Sequence, residues 1–597
     1  MVGMRLIQLS MIALLGSTAL GCSSESGGGM DSPDAGGVVD GAVDAGPDLT
    51  GAMFDPDHVL DIAVSMDMGD WDELRVQART VFEVLGASCL EAPPPRPFTY
   101  FPASVVIDGE EVTNVGIRKK GFFGSLSDTK PSLKIKFSEY DPLQRFSGLK
   151  RMTLNNNKSD TSHIKQCIGY NLFAQAGIPS PRCSFAKVSM NGDYLGIFTH
   201  VESIKKAFIA RHFADDNGNL YEGALSDFRA GWVETFQRKT NKTDLDRSDI
   251  EALVPALELP DGELLAALDP LINLDSFVDF WVMETIMMHA DGYGRNTNNF
   301  YLYANPSDGK FNFIPWGIDS ILFPNTTLPW EPVRPPETLF VEGVLARRLY
   351  DHPDTRAQFL LRLVELLGQV WSEDELLADI DRMEALLTEH LVSGEANQFS
   401  TSVTQVRNFV NGRRSVLEAE LSASAPPEWI RPLRDPWCLG VLGTTNGSFT
   451  GQWSDDYAGT APFSDGTLTL DVDIPGLVRT GLTGGTTFGV DPDNGKNALR
   501  LVSFIEQAVD PQTQSSVAYI VIIYLADEDL FPQSMMLDGS NAEMNVFRLT
   551  FPPAGAPLEI EHLGIGGEGL LSLDEVGTTN GATLRGSFNA QLYETPF

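Results

Sequence analysis

The residues between Met287 and Asp319 have the types and spacing that phosphoryl transfer needs. The pattern "LDSFVDFWVMETIMMH" is apolar on nearly every face and predicts a buried helix. That helix delivers His289-Ala290-Asp291 at its C-terminal end, with Asn296 five residues beyond the aspartate. A carboxylate there meets the negative end of the helix dipole, a cost of a few tenths to about 1 kcal/mol. It therefore calls for a compensating cation, a metal or Arg295. The other reading of the same residues is a polar turn opened by Asp291-Gly292. Further on, "NFYLY" and "KFNFIPW" predict two strands joined by the turn "NPSDG", and Asp319 closes the second. Phosphoryl transfer uses one carboxylate to orient the attacking hydroxyl and a second, with an amide oxygen, to hold magnesium on the phosphates. Asp291, Asn296 and Asp319 stand in that order.

A phosphate site also needs cations. In "KPSLKIKF" the alternation sends Leu133, Ile135 and Phe137 to the core and Lys134 and Lys136 to the opposite face, where a nucleotide would lie. Upstream, "GIRKKG" sets Arg118, Lys119 and Lys120 before the turn "GFFGS", whose backbone amides could approach phosphates. Glu202, closing the strand "LGIFTHVE", is the expected carboxylate partner of the strand lysine. By themselves these charges would only solvate a strand face; the downstream acids make them a phosphate wall. The order follows that of protein kinases, in which an Asn lies five residues beyond the loop Asp and another Asp follows the next hairpin. No Gly-x-Ser-x-Gly or His-Glu-x-x-His motif supports a serine hydrolase or a zincin.

The succession "GIRKKG", "SLKIKF", "LKRMTLNNNKSDTSHIKQCIGYNLFAQAGIPSPRCSFAKVSMNGDYLGIFTHVE", "GNLYEG", "NNFYLY" and "PWGID" resembles the CotH family of atypical protein kinases, over about residues 60 to 423. The resemblance implies an ATP- and magnesium-dependent kinase acting on Ser or Thr of secreted or surface proteins. By that resemblance Asp291 orients the acceptor hydroxyl, Asp319 binds metal and Lys134 is the strand lysine; the residue reading above adds Glu202, Arg118 and Lys136 about the phosphates. Asn299, first in "NFYLY", aligns with the family's Asn-Tyr-Tyr-Leu-Tyr, whereas ordinary kinase spacing selects Asn296, so both amides stay candidates for the metal. The family's Pro-Trp-Asp-x-Asp reads Pro315-Trp316-Gly317-Ile318-Asp319 here, which leaves a pseudokinase open.

The elements that must position these residues form an α+β domain. Residues 185 to 202 are two alternating runs around Asn191-Gly192, a strong hairpin signal. Helical patterns run over 160 to 176, 274 to 289, 354 to 370, 373 to 392 and 402 to 422. Ser159 or Asp160 is expected to cap the first of these, with His163 a surface or capping residue. The expected organisation is an atypical protein-kinase-like domain over 56–425, followed over 435–597 by an all-β, sandwich-like or barrel module of short strands and Gly, Asp and Asn turns. "DPDNGKN" in that module reads as a solvated turn rather than a calcium loop.

The N-terminus reads as an export signal over 1–22 in which Gly21-Cys22 fits a lipoprotein cleavage site, with simple cleavage as the alternative. Residues 23–55 are a Gly, Ser, Asp and Pro tether with too few apolar groups to order. The chain is thus expected to be exported and membrane-anchored only through lipid on Cys22. Asp and Glu outnumber Lys and Arg by 81 to 43, and the net charge of −38 repels nucleic acid. The remaining thiols, Cys89, Cys167, Cys183 and Cys438, can pair in three ways, among which the sequence does not choose. A rival from another class is a non-catalytic surface protein used for adhesion or for envelope or coat assembly.

Overall fold

Alternating strands in the first third of the chain close into a barrel. In the computed structural model the described residues are 50–327, 333–455, 466–491, 497–503, 515–525, 530–539, 542–552 and 557–594. The expected signal segment with Cys22, most of the acidic tether and the centre of the 491–497 turn lie outside them. Strands β1 (Val59–Met66), β2 (Phe101–Ile107), β3 (Glu110–Lys120), β4 (Ser132–Lys136), β5 (Arg151–Asn155), β6 (Cys183–Met190) and β7 (Asp193–Val201) pair in the order β1-β2-β3-β4-β5-β7-β6. β1 runs parallel to β6 and closes the ring. Inward residues such as Ile62, Val105, Ile117, Ile135, Met152 and Phe198 fill its interior. The outward residues fall in register, with Arg118 opposite Lys134 and Lys134 opposite Thr153. The β6–β7 hairpin turns at Asn191 and Gly192, both at positive φ, as the Asn-Gly pair requires.

A smaller sheet carries the loop with the acids. Strands β8 (Leu220–Gly223), β9 (Gln237–Arg238), β10 (Phe300–Asn305) and β11 (Lys310–Pro315) pair in the order β11-β10-β8-β9. The helix Leu274–Ile286 packs on β11 and is buried on most faces, which is why its sequence is apolar nearly all round. Its Trp281 stacks on Phe359 at 3.8 Å between ring centroids and donates to the Phe340 carbonyl at 2.6 Å. Each such buried side chain contributes roughly 1.5–3 kcal/mol. Phe359 belongs to Pro353–Gln369, one of four later helices with Val344–Asp351, Glu373–Thr388 and Ala396–Leu421.

The helix expected over 160 to 176 is Lys165–Gln175, and Asp160 caps its approach by accepting from Ser162 N at 3.0 Å and Lys165 N at 2.9 Å. His163 is not on the surface. It is 2% exposed, has a positive φ, and contacts Glu395 Oε1 through Nε2 at 3.1 Å, a long-range partner invisible to local patterning.

The C-terminal unit is described separately. Its strands β12 to β20 (Val441–Gln452, Thr467–Ile474, Leu477–Val490, Asn497–Ser503, Ser516–Leu525, Gln533–Leu537, Ala542–Phe551, Glu559–Val576 and Thr583–Tyr593) form one sheet. β19 pairs with both β18 and β20, so the sheet closes on itself as a barrel rather than splitting into a sandwich. Contacts within the chain divide it as Leu90–Pro436 together with 50–77, and Trp437–Phe597 together with Ala78–Cys89. The expected boundary at 425 is therefore moved, and an early segment joins the late unit. Leu439 N donates to the Leu85 carbonyl, Phe82 lies 4.9 Å from the Tyr593 ring, and Cys89 is bonded to Cys438. No change of composition marks 78–89, so only the folded contacts assign it.

Cys167 and Cys183 form the second disulfide, which links the Lys165–Gln175 helix to the start of β6. Non-reducing peptide mapping is expected to find these two pairings and no others. Replacing both Cys167 and Cys183 by Ser should lower unfolding free energy by about 3 kcal/mol, as expected for a loop of that length, measured by urea denaturation.

Candidate active site

Glu284 organises the loop that follows its own helix. It is 1% exposed, a costly place for a carboxylate unless its oxygens are fully used. Its Oε1 accepts from Tyr293 N at 2.9 Å and its Oε2 from Gly294 N at 2.8 Å. His289 Nδ1, also buried, lies 3.1 Å from Oε1. These bonds satisfy the first amides of the short helical turn Tyr293–Asn296. Gly292 is required here, because a Cβ would lie 2.1 Å from Glu284 Oε1.

Asp291 thus sits ahead of a helical turn, not on the last turn of the long helix, which ends at Ile286. The expected dipole penalty does not arise. Its carboxylate instead accepts three side-chain amides, Asn296 at 2.5 Å and Asn298 at 3.1 Å on Oδ1 and Asn299 at 2.6 Å on Oδ2. Thr297 and Asn299 take left-handed backbone angles, which fold the loop back so that these amides converge. Arg295, the other expected compensating cation, donates to the Thr326 carbonyl at 2.7 Å and lies over the Phe340 ring.

The segment after β11 is laced to this loop. Trp316 N donates to the Asn299 carbonyl at 3.2 Å, Ala290 N to the Ser320 carbonyl at 3.1 Å, and Leu322 N to the Met287 carbonyl at 2.9 Å. Asp319 is thereby brought into the field of Asp291. Burial, then the Asp291 charge, push the Asp319 carboxyl up to about 6; Asp160 adds to this and Lys120 opposes it. Two acids whose charges oppose one another are a place that a divalent cation would relieve. Among the described residues no group of three or more His, Cys, Asp or Glu side chains is assembled for a metal. The oxygen donors that remain, two carboxylates and neighbouring amides, suit magnesium, which usually keeps waters and phosphate oxygens among its ligands. Gly317 has a φ of +55°, and a Cβ there would lie 2.5 Å from Asn299 Oδ1, so a side chain in the place of the family's first acid would meet that amide.

A cluster of cations, linked to the acids by Lys120, gathers around Lys134. Burial, and then the charges of Arg118, Lys205, Arg151 and Lys120, hold the Lys134 ammonium well below the usual lysine range. Among the described residues Lys134 has no hydrogen-bonding or ion-pair partner. Lys120 joins the two halves of the site. It donates to Asn155 Oδ1, lies 5.8 Å from the centre of the Trp316 ring, and acts on both Lys134 and Asp319. Lys119, on the inner face, donates to the Arg75 carbonyl, and burial brings it down to about 8.

The carboxylate expected beside Lys134 is Glu222, not Glu202. Glu202 accepts from Arg182 at 2.9 Å and from Arg211, away from the strand lysine. Glu222, on β8, accepts from Arg96 and from Lys239 at 2.5 Å. Burial would raise Glu222, but Arg96, Lys239 and Lys134 together hold it well below the carboxylate range. The sign that could have found it is a lone acid inside "GNLYEG", a short strand of otherwise apolar character. Arg118 faces the cluster across from Lys134 with its guanidinium over Tyr100 at 5.3 Å, whereas Lys136 is taken up by Glu139 at 2.7 Å.

Fold and site together define an α+β domain in which two acids and a cluster of cations lie on neighbouring elements. The sequence profile of the family described as CotH kinase protein matches residues 117–417, just over half of the 597-residue chain. The chain belongs to this CotH family. Inner spore coat protein H of Bacillus subtilis (strain 168) is 23% identical over 203 residues, 32% of this chain and 54% of its own length. Invasin CotH2 of Rhizopus delemar is 23% identical over 235 residues, 36% of this chain and 40% of its own. The chain thus spans about half or less of the length of these relatives. The crystal structure of a Helicobacter pylori proinflammatory kinase, CtkA, aligns with a TM-score of 0.28 and 12% identity over 51% of this chain and 96% of that one.

The raised Asp319 carboxyl has a consequence for stability. Its folded value near 6 lies above the unfolded value of about 4, so its contribution is full below pH ~4 and is lost as pH rises through 6. Asp319→Asn is therefore expected to melt higher than wild type at pH 7.5 in EDTA, the gap closing towards pH 4, and to lose any magnesium-dependent rise in Tm. Gly317→Ala should destabilise by roughly 1–2 kcal/mol through its left-handed backbone, read by urea denaturation.

Proposed function

We propose that this protein is an exported, ATP- and magnesium-dependent protein kinase that phosphorylates Ser or Thr hydroxyls of surface or secreted proteins. One observation carries the proposal: Asp291 and Asp319 act on one another beside Lys120, which leads into a wall of cations around Lys134, in a chain of net charge −38. A local excess of desolvated positive charge in so acidic a protein is suited to a small polyanion. Catalysis of phosphoryl transfer is mostly positioning and charge stabilisation. In this proposal Asp291, aimed by its three amides, orients the acceptor hydroxyl and takes its proton. Asp319, with an amide oxygen of Asn299 or Asn296, would hold magnesium, whose charge would offset that of the phosphates. Lys134, Lys120 and Arg118 meet the phosphates, and Glu222 keeps the wall from flying apart.

The surface location is supported by the relatives, a spore coat protein and fungal invasins. No helix of the described residues is long and apolar enough to cross a membrane. Membrane attachment in this proposal is by lipid on Cys22 alone. Gly317 favours the second reading, a non-catalytic surface protein, because it withholds one acid from the site.

The purified protein, with labelled ATP and magnesium, is expected to label itself or a generic acceptor. Asp291→Ala and Asp319→Ala should each lower that rate by roughly 100-fold or more. Glu222→Ala should raise the KM for ATP about tenfold, as expected for a lost charged hydrogen bond, while Glu202→Ala stays within about twofold of wild type. A folded protein with no incorporation and no nucleotide-dependent thermal shift would select the scaffold instead.

A further inference from the structure

We propose that Arg434, beyond the family match that ends at Leu417, is a positioning residue of the phosphotransfer loop, supplied by the segment that follows the last helix of the domain. The proposal rests on the kinase reading above for its effect on rate, and on geometry alone for its effect on the loop. The segment 427–434 has no helix or strand, so its backbone polar groups turn to side chains or water. Side chains hold both of its ends. Tyr350 donates its hydroxyl to the Pro427 carbonyl at 2.6 Å, and Arg347 donates through both Nη atoms to the Arg431 carbonyl at 3.0 Å. Arg434 itself is fixed at both ends of its backbone, its N–H on Glu342 Oε1 at 2.6 Å and its carbonyl under Arg229 Nη1 at 2.7 Å.

So held, Arg434 turns its side chain to the loop. Nη2 donates to the Asn296 carbonyl and to the Thr297 hydroxyl, both at 2.9 Å. Thr297 needs such a partner. It is β-branched, stands at a φ of +49°, and ends the helical turn Tyr293–Asn296. Asn296 in turn points its amide at Asp291 Oδ1 at 2.5 Å. A continuous path therefore runs from the guanidinium through a strained corner to the carboxylate that meets the acceptor. A planar group with N–H donors in a fixed fork can grip a carbonyl and a hydroxyl together, which an ammonium on a flexible stem does poorly. Burial brings Arg434 down to about 10, a value at which it keeps its charge, and Glu342 and Asp291 are among the acids that favour that charge.

The test compares full-length Arg434→Ala, Arg434→Lys and Tyr350→Phe, the last removing an anchor of the segment without touching the fork. In Arg434→Ala, amides within 292–299 should exchange hydrogen faster at unchanged Tm, and kcat should fall roughly 10- to 100-fold with the KM for ATP within about twofold. Arg434→Lys should recover part of kcat, and Tyr350→Phe, which frees only the far end at Pro427 while Glu342 and Arg229 still hold Arg434, should match wild type. Wild-type exchange across 292–299 in Arg434→Ala would overturn the proposal. So would an equal loss in Tyr350→Phe, or a loss that tracks a fall in Tm and disappears on cooling. If the wild-type protein transfers no phosphoryl group, the kinase reading fails, and the exchange comparison still decides whether Arg434 positions the loop.

Discussion

Two carboxylates from opposite sides of one hairpin are held where the charge of Asp291 opposes ionisation of Asp319, and most of the surrounding structure serves to keep them there. Like charges in a partly desolvated site separate unless the backbone prevents it. Here it does. The segment after β11 is hydrogen-bonded to the loop at Ala290, Asn299 and Met287, so neither acid can withdraw without breaking main-chain bonds. Glu284, buried in the preceding helix, holds the start of the loop, and three asparagine amides hold Asp291 itself. Such strain is common where a ligand is meant to relieve it.

The cation wall is the same problem with the sign reversed. Barrel register sets Arg118 across from Lys134, and the ends of other elements add Lys205 and Arg151, so the lysine is desolvated among its own kind. Glu222 offsets only part of that repulsion, shared as it is with Arg96 and Lys239. Lys120 acts on both Lys134 and Asp319. The site is therefore polarised from acids to bases over a short path, an arrangement that an anion chelated to a divalent cation would neutralise on both sides.

Much of this was legible in the residues. The apolar helix ahead of Asp291, the Asn191-Gly192 hairpin, the turn between β10 and β11, and the facing of Lys134 all follow from periodicity and turn chemistry. The errors share a physical origin. Glu202 stands at a strand end, but ion pairs are decided by what other elements bring near, and Arg182 and Arg211 take it up. His163 reads as a polar residue at a helix start, yet Glu395, more than two hundred residues later, covers it. The β module reads equally well as sandwich or barrel, since strand alternation is the same in both. Closure depends on β19 being long enough to pair with β18 and β20.

By itself the sequence determined which residues are acids, amides and cations, which face of each strand they occupy, and the order in which the chain meets them. These follow from local sterics and from periods of two and 3.6 residues, which need no knowledge of distant partners. Only the tertiary structure decided that the Asp291 charge acts on Asp319, that Glu222 rather than Glu202 shares the field of Lys134, which thiols pair, and that residues 78–89 belong with the last unit. Charge, burial and covalent pairing act through space, and the separation of two residues along a chain does not fix their separation in a fold.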